Sequence, residues 1–516
     1  MQKLRSVFGL ESFRTNQLEA ITALLSGQDS MVLMPTGGGK SLCYQLPAVC
    51  EGGKTRGTII VIGPLLALMQ DQVAALQDKG VDVAFFNSEQ THEEVKDVCR
   101  RLVHPIKRQR PNLLYVTPEK LKHSSALMSI LRQLYTEKHL KGYVLDEGHC
   151  AVKWGRDFRD AYRFLNCLRQ DFPGIPIMAL TATATAHVKH DLKHLLRIPH
   201  CVEFSQSMNR PNLNYEVRPK KKMVLQEIAQ FIKESHARET GIIYAHSRKS
   251  CEEIAYKLRE EHGLDARHFH AKVDSRDKAE TLDSWKTDAC QIIVATIAFG
   301  MGIDKSDVRF VIHHDLPGDL DGYYQETGRA GRDGQPADCI LFYQYRDATI
   351  RQQQIRDNKD INETERAHQT DELRRVVQFC QNNVDCRRMQ VLAYYGENFD
   401  IAICRNGCDN CRNPLDTEVE DVTETAVQII QLAQSLITES GEWVTRNHLV
   451  DIIKGSAAQQ IKAKGWNSQS LYGLGKDMSK ERIERLVDRL ETEGVFCQTT
   501  ARNGGDWSQS YMQASI

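Results

Sequence analysis

The chain reads as an α/β protein with two tandem lobes built on parallel sheets, a helical module with a cysteine cluster, and a terminal winged helix. Three observations carry this. Short, continuously apolar runs alternate with longer amphipathic stretches in two successive series, the pattern of a parallel sheet covered by helices on both faces. Five of the fifteen cysteines crowd between Cys380 and Cys411. The last segment is helical and closes on a hairpin pattern.

The first lobe takes residues 1–206, with strands expected at "SMVLMP" (30–35), "GTIIVIGP" (57–64), "NLLYVTP" (112–118), "YVLDE" (143–147) and "IPIMALTAT" (175–183). A polar link, "SMNRPNLNYEVRP" (207–219), leads into the second lobe, 207–346. Its strands are "TGIIYAHS" (240–247), "DARHFH" (265–270), "CQIIVAT" (290–296), "RFVIHHD" (309–315) and "CILFYQ" (339–344). A polar helical run then opens the cysteine module, 347–415, and "RNPLDTEVED" (412–421) is the linker into the last domain, 416–516. There "SKERIERLVDRLETEG" is a helix and "FCQTTARNGGDWSQSYMQAS" a hairpin turned at Asn503-Gly504-Gly505.

Composition narrows the class. With 516 residues, 41% hydrophobic and 26% charged, the chain is an ordinary globular protein of several domains. No apolar run is long enough to span a membrane, and no secretory h-region follows Met1. A net charge of −1 gives no bulk signature of nucleic-acid binding, so any basic surface is local. The clustered cysteines fit a reducing compartment and one metal site better than a disulfide framework.

"VLMPTGGGKSLCYQ" (32–45) follows the first strand. Successive glycines let backbone N–H groups converge on phosphate oxygens, so Thr36, Gly37, Gly38, Gly39, Lys40 and Ser41 are candidates for a nucleoside triphosphate. Lys40 reaches the β- and γ-phosphates, and Ser41 can hold Mg²⁺. Met34 replaces the first glycine of the usual pattern; a plain flexible turn is the alternative, disfavoured by the position between strand and helix. Upstream, Gln17 could read adenine through its amide, with Arg14 in support.

"YVLDEGHCAVKWGRDFR" poses the next question: why a buried strand ends in two acids. At the carboxyl edge of a parallel sheet both would lie beside the phosphate loop. Asp146 can then hold Mg²⁺ while Glu147 polarises the attacking water. Acids that merely cap a helix N-terminus are the alternative.

With these segments in view, the sequence resembles the RecQ family of superfamily 2 helicases, and its wording is similar to the eukaryotic Bloom-type branch. The resemblance rests on "FRTNQ", "MPTGGGKSLCYQLPA", "LLALMQDQV", "LDEGHCAVKWGRDFR", "ALTATAT", "ATIAFGMGIDKSDVRFVIHHDLP" and "YYQETGRAGRDG", in that order. It implies two RecA-like lobes with ATP between them, and ATP-dependent 3′–5′ unwinding of duplex or branched DNA in repair, recombination and replication-fork maintenance in the nucleus. It implies further that His149 couples DNA to hydrolysis, that Arg332 is an arginine finger with Arg329 and Gln325 beside it, and that Asp304 lies at the interface. Thr181 and Thr183 would relay lobe motion. The spacing of Gln325, Arg329 and Arg332 is helix-like.

Trp154, Phe158 and Tyr162 interleave with Lys153, Arg156, Arg159 and Arg163, a pattern suited to stacking bases and tracking phosphates of single-stranded DNA. Burial of these aromatics in a core is the alternative. Two positions depart from the family: Gly148 stands where alanine is usual, and Lys272 where glycine is usual. A DNA-structure binding protein, or a duplex translocase with weakened ATPase, is therefore the rival reading.

Cys404, Cys408 and Cys411 offer three thiolates, and Cys380 and Cys386 compete for the fourth place around a structural Zn²⁺. The resemblance selects Cys386. In the last domain Lys462, Lys464, Lys476 and Lys480 suit phosphate contacts, and the family assigns the tip from Arg502 to Trp507 to prying open a junction.

Overall fold

The structure is a computed structural model that describes all residues except 65, 88–89, 154–160, 184, 298, 300–304, 417–419, 441–443, 493–494, 503–507 and 515–516. It divides into two compact units, Met1–Pro414 and Leu415–Ile516.

The first unit contains both parallel sheets. In lobe 1 the strands are β1 (Ser30–Leu33), β2 (Thr58–Ile62), β3 (Val83–Phe86), β4 (Leu113–Val116), β5 (Leu140–Leu145), β6 (Ile177–Thr181) and β7 (Val202–Ser205), in the order β3-β4-β2-β5-β6-β1-β7. In lobe 2 they are β8 (Leu213–Pro219), β9 (Gly241–Tyr244), β10 (Ala266–Phe269), β11 (Ile292–Ala295), β12 (Phe310–His313) and β13 (Ala337–Tyr343), in the order β10-β11-β9-β12-β13-β8. Every residue of β1, β2, β4, β5, β6, β9, β11 and β12 is buried, which is why these strands are continuous apolar runs.

Three strands lie beyond the sequence reading. β3 is short, and β7 is an exposed edge strand, paired only with β1. β8 occupies the second half of the expected polar link. As the edge of lobe 2 it buries Leu213 and Tyr215 and leaves Asn214, Glu216 and Arg218 only partly covered, so its period of two is masked by polar residues.

Strand order decides where the chemistry lies. β5, β6 and β1 are neighbours, with Met31 opposite Ala179 and Leu145 opposite Ala179. Their carboxyl ends therefore deliver Asp146, Thr181 and the phosphate loop side by side along one edge.

The cysteine module packs onto β8. Helices Tyr345–Asp357 and Glu363–Gln381 lead to Arg387–Tyr394, and Cys386, Val391, Leu392 and Tyr395 join one apolar cluster with Leu213, Tyr215 and Tyr323. Tyr215 N donates to Gly407 O at 3.1 Å, and Val217 N to Asp409 Oδ2 at 3.0 Å. Buried Arg388 donates to Asn209 Oδ1 at 3.1 Å, Pro211 O at 3.1 Å, Arg210 O at 2.5 Å and Leu213 O. The stretch joining the lobes is thus fastened to the module.

The second unit packs helices Thr423–Ser440, Arg446–Lys454 and Lys480–Thr492 around Ile429, Leu432, Leu436, Leu449, Ile483 and Val487. Arg446 grips Asp488 with two bonds of 2.6 and 2.9 Å. The hairpin legs are β14 (Phe496–Arg502) and β15 (Ser508–Ala514), antiparallel from Phe496 opposite Ala514 to Arg502 opposite Ser508. The expected turn at Asn503-Gly504-Gly505, and the tip as far as Trp507, lie outside the described residues.

Gly241 in β9 faces Phe310 of β12, and a Cβ there would fall 2.0 Å from the ring. Alanine in a strand normally improves on glycine; here Gly241→Ala is expected to lower stability by about 1–3 kcal/mol through overpacking. Denaturant unfolding of lobe 2 measures this.

Candidate functional site

β1 runs into the phosphate loop, where Gly37 and Gly39 take φ of 80° and 82°, and the helix Leu42–Val49 follows. The φ of Gly39 requires glycine, and a Cβ there would displace Gln17 Nε2 from beside the loop. Lys40 Nζ folds back to donate to Met34 O at 3.2 Å, across the mouth of the loop. Arg14 donates to Gly37 O. Gln17 Nε2 donates to Gly39 O at 3.0 Å, while its Oε1 accepts from Arg14 N at 2.8 Å. The amide expected to read a base thus braces the loop.

Ser41 and Asp146, the candidate cation ligands, belong to one network. Gln72 Nε2 donates to Ser41 Oγ at 3.4 Å, and Tyr44 Oη lies 2.9 Å from Gln72 Oε1 and 3.0 Å from Asp146 Oδ2. Gln72 and Tyr44 stand within the quoted "LLALMQDQV" and "MPTGGGKSLCYQLPA" segments, but their residue types alone mark no role there. Asp146 is buried, and burial together with the neighbouring Glu147 charge pushes its carboxyl up to about 6. Glu147 sits at φ 50°, a left-handed conformation costly for a non-glycine residue, and its backbone N donates to Asp146 Oδ1 at 3.0 Å.

Glu147 Oε2 lies 3.4 Å from His149 Nδ1, which also lies 3.0 Å from Thr181 Oγ1. From lobe 2, Gln325 Nε2 lies 3.2 Å from His149 Nε2 and 3.1 Å from Thr183 Oγ1. Arg332 rests on the phosphate loop: a Cβ on Gly37 would be 3.6 Å from its Cγ. Arg210 was hidden in the polar link. It donates to Thr36 O at 3.2 Å, Gly328 O at 3.2 Å, Ala330 O at 3.0 Å and Gly331 O at 2.8 Å. One guanidinium therefore ties the phosphate loop to the turn that carries Arg332.

Three expectations need correction or limit. The helix carrying Gln325 ends at Thr327, so Arg329 and Arg332 are not on it; Gly331 at φ 54° turns the chain, and Arg329 is buried beside Tyr244. Tyr162 is fully buried in the lobe 1 core, so it belongs to the packing alternative. Trp154, Arg156, Phe158, Arg159 and Asp304 lie outside the described residues. Gly148 is held by a bond from its N to Leu180 O at 2.8 Å, and a Cβ there would touch Leu192 at an ordinary 3.4 Å. Its missing methyl therefore leaves the acid pair anchored. Lys272 is exposed.

The Sγ atoms of Cys386, Cys404, Cys408 and Cys411 all lie within 4.8 Å of one another. Cys404–Cys408 and Cys408–Cys386 are 3.9 Å apart, close to the about 3.8 Å edge of a tetrahedron with Zn–S near 2.3 Å. Four thiols could hold Zn²⁺ with no open position. Cys380 is buried in its helix and outside this group.

Comparison with known proteins follows the same outline. Residues 14–191 match the DEAD/DEAH box helicase family, 220–334 the helicase conserved C-terminal domain, 345–412 the RecQ zinc-binding family and 416–512 the RQC domain. The chain is 48% identical over 509 residues to the ATP-dependent DNA helicase hus2/rqh1 of Schizosaccharomyces pombe, covering 99% of this chain and 38% of that protein. It is 41% identical to the RecQ-like DNA helicase BLM of Xenopus laevis, over 99% of this chain and 38% of that one. With the ATP-dependent DNA helicase Q1 of Mus musculus it shares 38% identity over 94% of this chain and 72% of that protein. The chain thus spans little more than a third of the longer relatives. Among solved structures, the DEAD-box helicase Mss116 bound to ssRNA and UDP-BeF superposes with a TM-score of 0.54 at 18% identity, over 94% of this chain and 95% of that one.

Two outcomes are expected. Because Asp146 titrates above its ordinary 3.8, its ionisation opposes folding above about pH 6 and has no effect below pH 3.8. Asp146→Asn should therefore raise the thermal midpoint of the nucleotide-free protein near neutral pH, and the gain should vanish by about pH 4. Stripping zinc under reducing conditions should expose the amides of Tyr215 and Val217 to hydrogen exchange, since Gly407 and Asp409 accept from them.

Proposed function

The chain belongs to the RecQ family of helicases, and from that premise we propose that it is an ATP-dependent DNA helicase moving 3′ to 5′ on single strands to open duplex or branched DNA. The observation that carries the reading is the meeting of both lobes around one phosphate loop. Gln325 reaches His149 at 3.2 Å while Arg332 packs on Gly37.

In this reading Lys40 and the loop amides bind the β- and γ-phosphates. Ser41 and Asp146 would hold Mg²⁺, whose charge offsets that of the phosphates. Glu147 orients the attacking water and accepts its proton, with His149 fixed beside it. Arg332 stabilises charge developing on the γ-phosphoryl oxygens, Arg210 and Arg329 hold the turn that presents it, and Asp304 lines the same interface. Loss of the γ-phosphate removes what draws Arg332 to the loop, so the lobes part; rebinding draws them together.

The strand would run past Trp154 and Phe158, which stack on bases, and Arg156 and Arg159, which track phosphates. These residues follow directly on the helix Cys150–Lys153 after His149, which supports coupling between DNA contact and hydrolysis. Lys462, Lys464, Lys476 and Lys480 are exposed and suit a duplex backbone. Repair, recombination and replication-fork maintenance in the nucleus are the corresponding roles. A decayed motor finds no support at Gly148, whose backbone is anchored.

The test is unwinding of a fluorescent forked duplex, made as DNA and as RNA, alongside ATP turnover with and without single strands. Lys40→Ala should abolish turnover, and Arg332→Ala should lower kcat by on the order of 10³-fold. Gly148→Ala should stay within about twofold of the parent, since the space admits it. Turnover indifferent to DNA, or intact in Arg332→Ala, would falsify the reading.

A further inference from the structure

We propose that Asp321 and Tyr395 are positioning residues for hydrolysis: they fix the amide of Gln325 and, through it, the tautomer of His149. The inference rests on the motor reading above and adds a path from the zinc-bearing module into the hydrolytic site.

A glutamine amide can turn end for end at no steric cost, exchanging a donor for an acceptor. The choice matters here. If nitrogen faces His149, Nε2 must be bare and the proton sits on Nδ1. If oxygen faces it, the proton must sit on Nε2. Asp321 decides between them. It lies four residues before Gln325 on the helix Leu320–Thr327, so both project from one face. Asp321 Oδ2 is 3.1 Å from Gln325 Nε2, and a carboxylate accepts only, so the nitrogen must stay.

The two hydrogens on that nitrogen are shared among Asp321, Thr183 Oγ1 at 3.1 Å and His149, and Cys150 Sγ, 3.4 Å from His149 Nε2, can donate to a bare ring nitrogen. Thr181 Oγ1 donates to Thr183 O at 2.7 Å, so towards His149 Nδ1, 3.0 Å away, it can only accept. The Nδ1 proton is then donated to Thr181 Oγ1, and Glu147 Oε2 lies 3.4 Å from the same nitrogen. The amide on one side of the ring and Thr181 on the other thus require the same tautomer, which places an N–H near the acid assigned to the water.

Tyr395 holds Asp321 in turn. Its Oη donates to Asp321 Oδ1 at 2.7 Å, and both residues are buried. Its ring meets Tyr324 edge-on at 5.2 Å, and Tyr324 Oη donates to Met208 O at 2.7 Å. Tyr395 directly follows the helix that starts after Cys386, so one phenol carries the position of the metal module to the lobe interface.

The experiment uses the full chain, zinc-loaded, with saturating single-stranded DNA. ATP turnover, zinc content and thermal midpoint are measured for the parent, Asp321→Asn, Tyr395→Phe and the double variant. Asp321→Asn, whose own amide can satisfy either orientation, should lower kcat about tenfold with KM for ATP within about twofold. Tyr395→Phe should lower kcat about threefold, and the double variant should be no slower than Asp321→Asn, because Tyr395 acts only through Asp321. Unchanged kcat in both single variants overturns the proposal, as do losses confined to KM or losses that multiply in the double. Should Asp321→Asn lose zinc or unfold, Tyr395→Phe decides, since it removes one oxygen: parental kcat there overturns the proposal. A parent that turns over no ATP removes the motor reading itself, whereas an active parent with indifferent variants removes only this inference.

Discussion

The contact between the Gln325 amide and the His149 imidazole spans the two lobes, and the proposed hydrolytic arrangement depends on it. Lobe 1 supplies the phosphate loop, Asp146, Glu147 and His149, with Thr181 at His149 Nδ1, and Gln325 of lobe 2 meets the other ring nitrogen. Glu147 is already held in a left-handed backbone conformation by the turn after β5. A site built this way takes side chains from both lobes, as the proposed nucleotide-driven motor requires.

Two features of the fold make that contact possible. Parallel pairing of β5, β6 and β1 brings three loops to one sheet edge, so residues more than a hundred positions apart in sequence meet within hydrogen-bond distance. Arg210 then spans the cleft as a brace between Thr36 and the Gly328–Gly331 turn. The brace is itself held, because Arg388 donates to the carbonyl groups of Arg210 and of Pro211 next to it. Zinc in the cysteine module would therefore affect more than local folding: it would hold the segment that joins the lobes.

The chemistry-bearing segments were legible because their residue types are unusual where they stand. Three glycines before a lysine after a buried strand, two acids at a strand end, and three closely spaced thiols each violate ordinary composition; the fourth thiol, Cys386, followed only from the family resemblance. Cross-lobe bonding was not legible. Arg210, Gln72, Tyr44, Asp321 and Tyr395 are common residue types, and only folding brings their partners near. Pattern also misled in places. Tyr162 continued an aromatic–basic alternation but is packed into the core, and Arg329 and Arg332 kept helical spacing past the end of their helix. β8 was obscured because an edge strand half-covered by a polar module alternates instead of staying apolar.

The most direct measurement is a double-mutant cycle on DNA-stimulated kcat, with His149→Ala, Gln325→Ala and the pair. If the two side chains act as one unit across the cleft, each single change lowers kcat by about tenfold or more and the pair is no slower than the worse single. If the losses multiply, the two residues work independently, and hydrolysis does not run through the contact between the lobes.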